Sequence, residues 1–76
     1  MNIDAKLEAL LFVSAKPCTV KRLAEITGVD ADDVKKGLDA LAVRLEESGS
    51  GLMLVRHGHE AELVTRPDVA EMVGAL

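Results

Sequence analysis

The sequence predicts an α+β fold in which three helices are followed by a β-hairpin and a last helix. Three observations carry this reading. Apolar residues recur at helical spacing through residues 3–47. After Ser48-Gly49-Ser50-Gly51 the period changes to alternation. Gly58-His59 then separates two six-residue β-favouring runs, as a two-residue hairpin turn would.

The first helix is expected over residues 3–16. Ile3, Leu7, Leu10, Leu11 and Ser14 share one face, while Ala5, Ala9, Phe12 and Val13 occupy the opposite side. Only Asp4, Lys6 and Glu8 interrupt the two, and a helix that is apolar nearly all round is buried on more than one side. Pro17 prevents simple continuation and pushes Lys16 toward an extended backbone. A short strand fits Cys18 and Thr19.

Thr19 is suited to cap a second helix over residues 20–27, because its hydroxyl accepts from a free backbone N–H of the first turn. Val20, Leu23, Ala24 and Thr27 form its inner stripe, and Gly28 supplies the left-handed cap. The short Gly28-Val29 connection is that of a helix-turn-helix. Asp30 opens a third helix over 31–47, with Asp32 and Asp33 placed where the helix dipole favours acids. Its core stripe is Val34, Leu38, Leu41 and Leu45. Gly37 borders this stripe and costs a helix interior about 1 kcal/mol relative to alanine, which points to a close helix–helix approach.

The hairpin is expected over residues 52–65, with Gly58 at positive φ. That turn pairs His57 with Glu60, Arg56 with Ala61, Val55 with Glu62, Leu54 with Leu63 and Met53 with Val64. Leu52, Leu54, Ala61 and Leu63 then share an inner face, and Met53, Val55 and Val64 an outer one. Pro67, allowed in a first helical turn, opens a last helix over 67–75 with Val69, Met72, Val73 and Leu76 as its stripe. Three helices followed by a β-hairpin wing and a C-terminal helix is the winged helix-turn-helix arrangement. The chain stops on Leu76 with that stripe still running, so a longer protein is expected.

Composition narrows the function. The 76 residues suit one domain; 49% are apolar, Phe12 is the sole aromatic and the net charge is −4. Grooves that stack single-stranded bases need aromatic platforms. The DNA-reading helix of a helix-turn-helix is its second one, and here residues 30–47 carry Asp30, Asp32, Asp33, Asp39, Glu46 and Glu47 against Lys35, Lys36 and Arg44. Such a surface repels phosphates more than it attracts them, so direct nucleic-acid binding is not expected. A DNA-binding winged-helix transcriptional regulator remains the alternative. His57-Gly58-His59-Glu60 reads as a polar wing tip, because a structural zinc site closes four ligands and Cys18 is the only thiol. Cys18 has no orienting partner in the sequence and reads as a small packed hydrophobe. No cofactor, metal site or catalytic set is expected, and the protein is not expected to be an enzyme. With no membrane-length apolar run and no disulfide, it reads as soluble and cytoplasmic.

The surplus apolar surface is the most informative feature. The last helix is expected to cover the helix-one set, leaving the wing as the better interface. The candidate dimer or partner interface is therefore Phe12, Val13, Met53, Val55 and Val64, with Met53, Val55 and Val64 favoured.

Four stretches stand in a specific order and spacing: Leu7-Glu8-Ala9-Leu10-Leu11-Phe12-Val13-Ser14 with Pro17; Leu23-Ala24-Glu25-Ile26; Gly51-Leu52; and Leu63-Val64-Thr65-Arg66-Pro67. Together they resemble the N-terminal winged-helix domain of the segregation and condensation protein B family, over nearly the whole chain. The resemblance implies a non-enzymatic subunit of the bacterial SMC–kleisin condensin complex, acting in chromosome condensation and segregation. It implies a homodimer, and a kleisin subunit (ScpA-like) as partner and through it the SMC ATPase, in the cytoplasm at the nucleoid. It also implies that residues 1–76 are the N-terminal part of a two-domain protein. The family uses its second domain heavily for kleisin binding, so dimerisation is the property expected first of this chain.

Overall fold

The computed structural model describes residues 1–76 and is a winged helix. In chain order the elements are α1 (Ile3–Val13), β1 (Cys18–Thr19), α2 (Val20–Thr27), α3 (Ala31–Glu47), β2 (Leu52–His57) and β3 (Glu60–Thr65). A 3-10 turn (Pro67–Val69) and α4 (Ala70–Ala75) follow. The strands form one antiparallel sheet in the order β1-β3-β2. The β2–β3 register pairs His57 with Glu60 through Leu52 with Thr65, as the two-residue turn requires. Gly58 sits at φ 58 and His59 has no positive φ, the pattern of a type II′ turn.

Three helices meet over one core of nine buried residues. Leu7 and Leu11 come from α1, Val20 and Leu23 from α2, Val34, Leu38, Leu41 and Leu45 from α3, and Ala61 from the wing. Leu54 and Leu63 pack against this cluster from the sheet; Leu52, on the same strand face, is half-buried and does not join it. The helix-turn-helix is fixed by local chemistry. Thr19 Oγ1 accepts from the Arg22 N–H at 3.0 Å, and Asp30 Oδ1 accepts from the Asp33 N–H at 2.8 Å. Gly28, at φ 76, turns the chain between them. The Val20 N–H donates to the His59 carbonyl at 2.8 Å, tying the wing tip to α2. At the wing base the Arg66 guanidinium donates to the Ser50 carbonyl at 2.7 Å and meets Glu46 at 3.0 Å.

Gly37 is buried where α3 crosses α1. A methyl group built on it would lie 2.8 Å from Leu7 Cδ1 and 3.1 Å from two carbons of Ile3. Glycine is what permits the two helices to approach this closely.

Two expected helices differ. The first ends at Val13 rather than at residue 16. Cys18 must already be extended to pair with Ala61, and Pro17 forbids a helical Lys16, so the chain leaves the helix at Ser14. Ser14 Oγ then donates to the Lys16 carbonyl and accepts from Cys18 Sγ at 3.3 Å, bracing the turn that leads into β1. The last helix is a 3-10 turn plus six α-helical residues, and none of its residues is buried. A segment this short, with Gly74 inside it, has little intrinsic helical stability. The expected cover of the helix-one apolar set by the stripe of Val69, Met72, Val73 and Leu76 is not formed.

An ion-pair cluster staples α1 to α3. Arg44 Nε donates to Asp4 Oδ2 at 2.8 Å, and Arg44 Nη2 donates to Glu8 Oε1 at 2.7 Å. The hydrogen bond from Arg44 holds the Asp4 carboxyl below its ordinary value of 3.8, against a smaller opposing effect of burial. A carboxyl whose pKa is lower folded than unfolded stabilises the fold above the unfolded value, and loses that contribution as pH falls through the folded one. Stability is therefore expected to fall as pH drops below about 4, and Asp4→Asn is expected to flatten that limb. Urea midpoints measured across the acid range check this; parallel profiles for the two proteins would show that the pair contributes nothing.

Candidate protein-interaction surface

The five candidate interface residues fall in two environments. Phe12 and Val13 lie at the C-terminal end of α1 and are 76% and 79% exposed. Met53, Val55 and Val64 lie on the outer face of the wing and are half-buried. Met53 sits opposite Val64 across the ladder, while Val55 is opposite Glu62. The sequence-based preference for the wing rested on cover that α4 does not provide. The helix-one pair is the more exposed of the two.

The sequence reading missed further apolar surface. Ile26 on α2 is half-exposed because it falls off the inner stripe of Val20, Leu23, Ala24 and Thr27. Met72, Val73 and Leu76 are also exposed. Their helical spacing was visible, but spacing alone does not say whether a partner surface exists within the chain.

Two concavities mark the surface. One, of about 460 Å³, lies between the end of α1, the β1 connection and α2. Leu10, Val13, Pro17, Leu23 and Ile26 give it an apolar lining, and its only charged residues are Lys16 and Arg22. The other, of about 560 Å³, lies among α2, the start of α3 and the wing tip, where Lys21, Glu25, Lys35 and His59 meet Thr19, Val20, Ala24 and Ala31. These volumes suit small ligands, but Asp4 and Arg44, whose pKa values are shifted, line neither concavity. No three His, Cys, Asp or Glu side chains converge as a metal site would require. No helix is long and apolar enough to cross a membrane.

The electrostatics of α3 follow from its partners. Arg44 is engaged by Asp4 and Glu8, and Arg56 on the wing by Asp39. Lys35 and Lys36 are the cations of α3 left without an ion pair, beside an N-terminal turn of Asp30, Asp32 and Asp33. The elements that would face a duplex thus present few free cations.

The chain is similar in sequence and in fold to known proteins. The family model for segregation and condensation complex subunit ScpB matches residues 5–76. Segregation and condensation protein B of Carboxydothermus hydrogenoformans is 36% identical over 76 residues, covering 100% of this chain and 41% of that protein. The corresponding protein of Symbiobacterium thermophilum is 39% identical over 70 residues, covering 92% of this chain and 32% of its own. The chain therefore spans about two fifths or less of the curated relatives' length. Among solved structures, ScpB from Mycobacterium tuberculosis superposes with a TM-score of 0.88 at 30% identity, over 96% of this chain and 46% of that one. A dimer of an ScpB N-terminal domain complexed with ScpA peptide gives 0.86 at 23% identity, over 95% and 90% of the two chains, which shows the shared fold.

Proposed function

The chain belongs to the segregation and condensation complex subunit ScpB family, and from that premise we propose that it acts as a non-enzymatic assembly domain in a cytoplasmic SMC–kleisin complex. In this reading it is the counterpart of an N-terminal ScpB domain within a longer protein. It pairs with a second copy and associates with an ScpA-type kleisin, and through the kleisin with the SMC ATPase, in chromosome condensation and segregation. Phe12 and Val13 form the principal interface patch, with Met53, Val55 and Val64 as a second, partly covered one.

The observation that carries the proposal is the bare apolar end of α1. Phe12 and Val13 stand 76% and 79% exposed on a domain whose core is already complete without them. Large exposed apolar side chains in a contiguous patch mark interaction sites. The related domain solved as a dimer with ScpA peptide gives the same reading support. The transcriptional-regulator alternative is weakened because Arg44 and Arg56 are already paired with acids.

Sedimentation equilibrium over rising concentration tests the proposal, together with titration by the purified ScpA-type kleisin of the same organism. A dimer mass and a kleisin complex are expected. Binding to duplex DNA at physiological salt is expected to be negligible. A concentration-independent monomer that ignores the kleisin would overturn the assembly reading, and submicromolar, salt-sensitive duplex binding would favour the regulator.

A further inference from the structure

Two apolar surfaces of this chain lack cover, and their charges are opposite. The groove between the end of α1 and α2 is lined by Leu10, Val13, Leu23 and Ile26, and its only charged residues are Lys16 and Arg22. These are cations on a chain whose net charge is −4; Lys16 has no ion pair, and Arg22 has a long, exposed one with Glu25 at 3.4 Å that a closer acid can displace. The segment from Pro67 to Leu76 presents Met72, Val73 and Leu76 to solvent, has no buried residue, and carries Asp68 and Glu71 with no Lys or Arg. An apolar helix face flanked by acids is what such a groove fits.

From this complementarity we infer that the groove between α1 and α2 receives the α4 segment of a second copy of the chain, reciprocally, in a two-fold dimer. The inference rests on the homodimer reading above and adds the surfaces that meet. Reciprocal docking buries both grooves and both helices at once, which is how an isologous interface uses one patch twice. It also covers Val13 at the groove wall, where the monomer leaves it bare. Lys16 and Arg22 then lie beside Asp68 and Glu71 of the other copy. That pairing selects the orientation and keeps out segments with basic flanks.

A charge-exchange experiment tests this. One variant carries Lys16→Glu and Arg22→Glu; the other carries Asp68→Lys and Glu71→Lys. All four positions are exposed, so both variants are expected to fold, with circular dichroism as the check. Each alone places like charges in groove and helix and is expected to raise the dimer dissociation constant about 10-fold or more. Mixed in equal amounts, the two restore opposite charges at both contacts, and the heterodimer is expected within about 3-fold of wild type. The second variant reduces the net negative charge, so it would associate more tightly if overall repulsion alone mattered. A monomeric wild type overturns the dimer reading and this inference together. A dimeric wild type whose variants remain equally dimeric, or fail to recover on mixing, overturns the groove assignment while leaving the dimer intact.

Discussion

Replacing Gly37 with valine is expected to lower the unfolding free energy by about 2–3 kcal/mol, a large share of what a core this size supplies. The cause is steric. The first added carbon meets Leu7 Cδ1 at 2.8 Å and Ile3 at 3.1 Å; Leu7 is wholly buried in the core, so moving its side chain disturbs the packing of that core. Valine is a better helix former than glycine, but by less than about 1 kcal/mol, so the clash decides the sign. Gly51 is the control, since a side chain there meets nothing within 4 Å and its φ is not positive; Gly51→Ala is expected to stay within about 0.5 kcal/mol of wild type. Urea midpoints at unchanged slope measure both. Adding Leu7→Ala to Gly37→Val is expected to cost less than the sum of the single changes, because the truncation relieves the contact. Equal losses at Gly37 and Gly51, or additive behaviour with Leu7, would mean that the helix crossing does not depend on Gly37.

Gly37 also shows which parts of the fold the sequence made legible. A glycine mid-helix beside an apolar stripe is costly unless something needs the space, and the crossing of α1 and α3 is that need. The α3 stripe of Val34, Leu38, Leu41 and Leu45 is buried as its spacing implied. The wing register followed from one dipeptide, because a two-residue turn leaves no freedom in pairing. The ends of elements were harder to read. Whether α1 runs to residue 13 or 16 is settled by the pairing of Cys18 with Ala61, forty-three positions away, and helical periodicity carries no information about that contact. The exposure of the last segment is hidden from the sequence for a related reason. Val69, Met72, Val73 and Leu76 have the spacing of a packed helix, but packing also needs an opposite surface, and in this chain Val69 is only half-buried and the other three stay exposed.

The candidate interface residues were legible only in part. Phe12 and Val13 were visible as a second apolar face on a helix that already had one. Their exposure depended on the absence of α4 cover, a tertiary fact. Ion pairs were less legible still. The acid excess of α3 was plain, but that Arg44 is spent on Asp4 and Glu8, and Arg56 on Asp39, comes only from the fold. This lowers the free positive charge near the helix-turn-helix further than composition alone implied.

Phe12→Glu is expected to abolish most self-association while leaving the monomer folded. In the monomer the side chain is largely in water, and exposed substitutions away from special features usually change stability by no more than about 0.5 kcal/mol. In a dimer that covers the end of α1, the change removes the burial of a Phe-sized side chain, worth about 1.5–3 kcal/mol. It also adds the cost of a carboxylate desolvated without a partner. Together these correspond to a dissociation constant raised about 100-fold or more. Val55→Glu is expected to act more weakly, because Val55 is already half-buried within its own chain and has less new area to lose. Sedimentation velocity of the three proteins, with circular dichroism to confirm the fold, ranks the two patches directly. A stronger effect at Val55 would return the interface to the wing. A folded Phe12→Glu that dimerises like wild type would remove Phe12 from the interface and leave the groove beside Val13 to the charge-exchange test.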